Sequence, residues 1–254
     1  MNIITVINQK GGVGKTTTTI NIAVELALWK YKVLAIDLDP QGNLSTSIGI
    51  DYSNRSNNAY ELLNNNCNVQ DAIIKTNIQN LSIITSNIDL SAFPIDFSSH
   101  PKRDFILKDK LQLLKNNFDF VIIDCPPSLN LLSINALTAS HNIIIPIQCE
   151  FLSLEGLSSL IQTVNLMQKN YNKNLKIMGI LLTMYDKRNK LSEIVANDVI
   201  SCLGDITFNT IIPRNVRISE APSHGQAVVT YDSKSSGAIA YKNLVKEILC
   251  TKKD

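Results

Sequence analysis

Gln9-Lys10-Gly11-Gly12-Val13-Gly14-Lys15-Thr16-Thr17 decides how the chain reads, because of what stands on either side of it. Before it, the apolar run Asn2–Asn8 predicts a strand. After it, Thr16–Lys30 predicts a helix with Ile20, Ala23, Val24, Ala27 and Leu28 on one face. A strand, a glycine-rich turn and a helix start, in that order, are the setting of a phosphate-binding loop. Glycines let backbone N–H groups turn toward an anion with no Cβ in the way. The helix N-terminus adds partial positive charge at the same point. Lys15 is placed to reach β- and γ-phosphates, and the Thr16 hydroxyl to ligate Mg²⁺, so ATP with Mg²⁺ is the expected ligand. Lys10, Gly11, Gly12, Val13, Gly14, Lys15, Thr16 and Thr17 form the expected cradle. A ligand-free glycine turn is the plainer alternative, but it does not account for Gly-Lys-Thr between a strand and a helix.

Working outward, short β-branched runs alternate with longer helical patterns. Further strands are predicted at Lys32–Asp37, Leu81–Thr85, Phe118–Asp124, Asn142–Ile147, Lys176–Thr183 and Thr207–Ile212. Helices are predicted at Pro101–Asn116, Ser153–Lys169, Leu191–Leu203 and Gly237–Cys250. Ser53–Asn68 is rich in Asn and Ser and reads as a loop with one short helix. Runs such as FDFVIID and HNIIIPI are apolar throughout, which suits strands covered on both faces. Repeated strand–helix units imply a doubly wound α/β fold, a mainly parallel sheet flanked by helices. No linker, repeat or low-complexity tract interrupts residues 1–254, so one domain is expected.

Composition narrows the function classes. The 254 residues are 44% hydrophobic and 18% charged, enough apolar material for a sizeable core. Net charge is only +2, but it is uneven: Met1–Asn170 carries 12 Lys and Arg against 14 Asp and Glu, and Tyr171–Asp254 carries 12 against 8. The basic C-terminal third fits either a polyanion-facing surface or an ordinary solvated face. Cys67, Cys125, Cys149, Cys202 and Cys250 are odd in number and show no C-x-x-C pair, which fits a reducing, cytoplasmic setting. MNIITVINQKGG has no signal-peptide pattern, and no apolar run approaches the ~18 residues of a membrane span, so no membrane association is expected.

Two more strands end in carboxylates, Ala35-Ile36-Asp37-Leu38-Asp39-Pro40-Gln41-Gly42-Asn43 and Val121-Ile122-Ile123-Asp124-Cys125-Pro126-Pro127. In an open parallel sheet the carboxyl ends of strands face the ligand crevice. Asp124 is therefore the expected Mg²⁺ carboxylate, directly or through water. Each of these aspartates, taken alone, also reads as a strand-end turn residue.

The loop has Gln9 where a common phosphate loop has its first glycine, and Lys10 stands five residues before Lys15. This variant, KGGVGKTT, resembles the deviant Walker A family that includes ParA, MinD and the nitrogenase iron protein. In that family the early lysine reaches a partner subunit's nucleotide, which implies the same for Lys10. DLDPQGN (37–43), DCPPSLNLLSINAL (124–137), PIQCEFLSLEGL (146–157) and IIPRNVRISEAPSHGQAV (211–228) narrow the resemblance to ParA/Soj partition ATPases. The P-loop begins at residue 9, as in the short, Soj-like branch. The resemblance implies that Asp39 positions or activates the attacking water and that Asp37 supports the metal shell. It places Pro213, Arg214 and Asn215 at the base, with Thr183 and Met184 nearby. Pro213 also reads as a strand-end turn proline. It further implies an ATP-state homodimer that binds DNA without sequence preference and releases it after hydrolysis. Turnover is expected to be slow alone and stimulated by a ParB/Spo0J-like centromere-binding protein, at the nucleoid in the cytoplasm. Lys187, Arg188, Arg217 and Lys234 are the expected DNA contacts, with Lys190, Lys242 and Lys246 further cations on that side; merely solvated lysines are the alternative. Ser236 stands where family members often carry arginine, and Lys234 where they carry arginine. Three rivals remain: a MinD-like membrane-associated regulator, a metal-cluster carrier using Cys125 and Cys149, and a DNA-binding scaffold without turnover.

Overall fold

Seven short apolar runs become one sheet because each has residues to bury on both faces. The computed structural model describes residues 1–114, 117–150 and 153–250. Its strands are β1 (Asn2–Val6), β2 (Val33–Asp37), β3 (Ile73–Lys75), β4 (Leu81–Ile84), β5 (Phe120–Asp124), β6 (Asn142–Gln148) and β7 (Lys176–Thr183). Their order is β3-β4-β2-β5-β1-β6-β7, parallel throughout except for the antiparallel β3–β4 edge. Alternation along β5 shows why: Val121 and Ile123 enter one core cluster, Phe120 and Ile122 the other. Leu34 and Ile36 against Val33 and Ala35 divide β2 in the same way. This is the expected doubly wound fold with a mainly parallel sheet.

Helix α1 (Lys15–Leu28) lies on one face with α10 (Val228–Tyr231) and α11 (Ser236–Cys250). The other face carries α5 (Ile106–Gln112), α6 (Leu131–Ala139), α7 (Ser153–Asn170) and α8 (Lys190–Leu203). Short helices α2 (Asn43–Ser47), α3 (Ala59–Leu63), α4 (Phe93–Asp96) and α9 (Val216–Glu220) sit in the connections. Ala240, Tyr241, Leu244, Val245 and Ile248 of α11 are buried in the core, so that helix turns its apolar face inward. No helix among the described residues is long and apolar enough to cross a membrane.

Four differences from the sequence reading have physical causes. Helix α6 was not expected; the Asn130 side chain caps it by accepting from the Leu132 amide at 3.0 Å. Strand β3 was not expected either; it is three residues on the sheet edge. The expected strand at Thr207–Ile212 does not form. The Asn209 and Thr210 amides donate instead to the Glu247 carboxylate at 2.7 and 3.1 Å, and only isolated bridges at Thr207 and Pro213 remain. The helix expected over 101–116 is α5 preceded by a 3-10 turn at Arg103–Phe105, and residues 115–116 lie outside the described part. Residues 151–152, within the stretch 146–157, and the tail 251–254 are also outside it.

Candidate functional site

β1 sits centrally, between β5 and β6, so the loop that follows it opens at the carboxyl edge of the sheet where the winding reverses. Three side chains shape this loop. Asn8 Nδ2 donates to the Pro146 carbonyl at 2.8 Å and its Oδ1 accepts from the Lys10 amide at 2.9 Å. Gln148 Nε2 donates to the Gly12 carbonyl at 2.9 Å, and Thr183 Oγ1 to the Val13 carbonyl at 2.9 Å. These bonds occupy the Gly12 and Val13 carbonyls and hold the loop in one shape. Gly14 has φ +89°, a left-handed conformation that favours glycine, and it stands at the start of α1 with no side-chain cap. The first turn of α1 also has no acidic residue. An uncapped helix start with no acidic residue in its first turn suits an anion, through its amides and the helix dipole.

Lys15 is 6% exposed, and its Nζ donates to the Lys10 carbonyl at 3.0 Å, curled over the loop. Burial lowers its pKa, and the charge of Asp124 partly restores it. Lys10 extends to the surface and pairs with Glu150 at 2.7 Å, with both side chains well exposed. Such a pair contributes at most about 1 kcal/mol, so Lys10 is readily released.

The carboxylates gather because their strands are in register: Asp37 of β2 lies opposite Asp124 of β5, and Val6 of β1 opposite Asp124 on its other side. Asp124 accepts from Thr16 Oγ1 at 2.7 Å and from Thr19 Oγ1 at 3.2 Å. Both aspartates are fully buried. Burial, reinforced for Asp124 by the Asp37 charge, raises Asp37 to about 6 and Asp124 to about 8. A pair of buried acids beside a phosphate cradle is a demand for positive charge. Among the described residues no three His, Cys, Asp or Glu side chains group to hold a metal ion. The set therefore fits a cation that takes one or two protein ligands and fills its shell with phosphate oxygens and water, as Mg²⁺ does.

Asp37 is engaged inside the protein: Oδ1 accepts from the Asp39 amide at 3.2 Å, and Oδ2 from the Ser45 hydroxyl at 2.7 Å and amide at 2.9 Å. Asp39 begins the next turn; its Oδ1 accepts from the Gln41 amide at 3.0 Å, and its carbonyl from the Gly42 amide at 2.9 Å.

Beside the loop lies a cavity of about 530 Å³, within the range of nucleotide-sized pockets. Met184, Pro213, Arg214 and Asn215 line it, as do Thr17 and Gly14 at its P-loop end. Val216, Ile218, Ser219 and Tyr241 line it too, and sequence reasoning missed them. For Val216, Ile218 and Ser219 the signal was available, since they fall inside the stretch 211–228; Tyr241, on α11, lies outside it. Arg188, expected on a DNA face, lines this cavity while also bonding Asp186 through Nε and Nη2 at 3.0 and 2.9 Å. Arg217 pairs with Glu220 at 2.8 Å and with Asp232 at 3.4 Å, which brings α9 against the turn carrying Lys234. Lys187 and Lys234 are exposed. Ser236 accepts from Asn215 Nδ2 at 2.7 Å.

A family model described as an AAA domain matches residues 1–177. The sporulation initiation inhibitor protein Soj of Bacillus subtilis (strain 168) is 47% identical over 246 residues, 97% of this chain and 97% of that one. The chromosome partitioning protein ParA of Caulobacter vibrioides (strain NA1000 / CB15N) is 44% identical over 256 residues, covering 100% of this chain and 96% of that one. Among solved structures, cobyrinic acid a,c-diamide synthase from Mycobacterium smegmatis with bound ATP analog and magnesium superposes with TM-score 0.88 at 35% identity, over 100% of this chain and 96% of that one.

Proposed function

Since the chain belongs to the ParA/Soj family of chromosome-partitioning ATPases, we propose that it is an ATP-controlled dimer switch that holds DNA and lets go on hydrolysis. The observation that carries this reading is the uncapped start of α1, with Lys15 over it and the Thr16–Asp124 pair beside it. Amides of residues 11–17 and the Lys15 ammonium hold the β- and γ-phosphates. Thr16 and Asp124 would hold the magnesium, with Asp37, opposite Asp124 across the strand pair, as a second carboxylate in support. When bound, magnesium neutralises charge on the triphosphate and aligns it. Asp39 orients a water toward the γ-phosphorus; the new P–O bond forms as the bond to ADP breaks, and the water's proton leaves toward solvent or Asp39. The base sits between Met184 and Pro213–Asn215. Hydrolysis is slow alone; in the dimer Lys10 leaves Glu150 and serves the partner subunit's nucleotide.

The ATP-bound homodimer contacts DNA through Lys187, Arg188, Arg217 and Lys234, with affinity set by phosphate charge rather than base sequence. Arg188 and Arg217 are each already held by carboxylates, which weakens their share. A ParB/Spo0J-like centromere-binding protein stimulates turnover, and the chain works as one domain in the cytoplasm, at the nucleoid. The inward-facing α11 argues against a MinD-like membrane anchor. Cys125 and Cys149 are buried, with burial raising both thiols, Cys149 to about 11, which argues against a cluster carrier. The test is retention of nonspecific duplex DNA by the full chain. ATP is expected to retain it, and ADP or no nucleotide to release it. Equal retention in all three states would rule out the switch.

A further inference from the structure

Arg55 is the least expected side chain near the site. It ends a 3-10 turn, Tyr52–Asn54, whose Tyr52 is exposed, yet it is only 6% exposed. Its guanidinium spans four acceptors: Nη1 donates to the Gly42 and Ser86 carbonyls at 3.2 and 3.4 Å, and Nη2 to Thr46 Oγ1 and the Ile50 carbonyl at 2.9 and 2.7 Å. Three of these acceptors lie in one segment, Gly42–Ile50, which contains α2 and begins three residues after Asp39. The fourth, Ser86, closes a ring. Its amide donates to Ser45 Oγ at 3.0 Å, and that hydroxyl donates to Asp37. The carbonyl of Arg55 in turn accepts from Asn58 Nδ2 at 2.9 Å, which anchors the guanidinium's base to α3.

Burying a guanidinium against carbonyls, with no carboxylate in ion-pair contact among the described residues, is costly. Its Nε is moreover buried without a hydrogen-bond partner. An apolar side chain would fill the same space at lower cost, so filling space does not explain the arginine. What an apolar side chain lacks is a planar fork that fixes several carbonyls at once.

We propose that Arg55 is a positioning residue for hydrolysis: it clamps Gly42–Ile50 to Ser86 and thereby fixes the turn from which Asp39 addresses the attacking water. The proposal rests on the role given above to Asp39. Arg55 acts through the backbone: it holds the Gly42 carbonyl, two bonds along from the Gly42 amide that donates to Asp39's carbonyl. The P-loop and the base cavity share no hydrogen bond with it. Loss of the clamp is therefore expected to slow the chemical step and leave nucleotide affinity in place.

The experiment compares Arg55→Lys, Arg55→Met and Asp39→Ala in the full chain, reading equilibrium ATP affinity, single-turnover hydrolysis and amide hydrogen exchange. Arg55→Lys keeps the charge and stem but loses the fork, and it guards against a methionine variant that does not fold. Expected are a fall of about tenfold or more in the single-turnover rate for Arg55→Lys, ATP affinity within about threefold of wild type, and faster exchange confined to residues 42–50. Wild-type turnover in Arg55→Lys would overturn the proposal, as would a rate loss matched by an equal loss of ATP affinity. If Asp39→Ala itself turned over at the wild-type rate, the Asp39 assignment would fall, and the clamp with it. If Asp39→Ala is inactive and Arg55→Lys is not, only the clamp falls.

Discussion

Replacing Asp124 by asparagine is expected to stabilise the ligand-free protein while removing its turnover. A buried carboxyl with its pKa raised to about 8 from an ordinary 3.8 binds its proton more tightly folded than unfolded. Its stabilising protonated form is complete below about pH 4, and stability is lost as pH rises toward 8. At pH 8 that loss is on the order of 5 kcal/mol for an isolated group, and at pH 5.5 about half as much. In the variant one threonine hydroxyl must turn from donor to acceptor, which offsets part of it and leaves a gain on the order of 2–4 kcal/mol for Asp124→Asn at pH 8. The amide retains the shape of the site: Oδ1 accepts from one of the hydroxyls of Thr16 and Thr19, and Nδ2 donates to the other. For a chain of this length the gain corresponds to about 5–15 °C in Tm. The assay is thermal unfolding of both proteins at pH 5.5 and pH 8, without nucleotide and then with ATP and Mg²⁺. The variant should unfold higher at pH 8, by a margin that shrinks at pH 5.5, and should gain little from Mg·ATP where wild type gains much. A variant less stable than wild type at pH 8, or a difference that ignores pH, would refute the electrostatic account of the site.

Other perturbations separate the parts of the site. Lys10→Ala removes only an exposed ion pair, so thermal stability should change by less than about 1 kcal/mol and ATP should still bind, while light scattering should show no ATP-dependent dimer. Gly225→Ala forces a side chain at φ +64° and sets its Cβ 2.9 Å from Gly49 Cα, so denaturant titration should show a loss of about 1–3 kcal/mol. Ser236→Arg adds a cation beside Lys234 and gives up the bond from Asn215, so ATP-dependent DNA retention should tighten and its salt dependence steepen by roughly one unit of slope.

The sheet was legible because burial on both faces leaves continuous apolar runs, and β1, β2 and β5 fall where those runs lie. The P-loop was legible because glycines and Lys15 must be contiguous to serve one anion. Side chains that act across the chain were not. Glu150 meets Lys10 from 140 residues away, and Glu247 takes the Asn209 amide from 38 residues away, dissolving a strand that Thr207–Ile212 otherwise predicts. Arg55 stands in a stretch that reads as loop, and nothing local marks it as buried. Helix α6 was missed although Asn130 stands at its start, because eight of its nine residues are buried, polar Ser133, Asn135 and Thr138 among them, and its apolar residues show no helical period. The carboxylates needed the register: Asp37 and Asp124 are 87 residues apart in sequence and adjacent only because β2 pairs with β5.

Calorimetric titration of the folded chain with ATP and Mg²⁺, beside Lys15→Ala, probes the anion cradle itself. One nucleotide bound per wild-type chain, with binding lost or greatly weakened in Lys15→Ala, is the predicted result. No heat from well-folded wild-type protein, or undiminished binding by Lys15→Ala, would contradict the cradle and everything assigned around it.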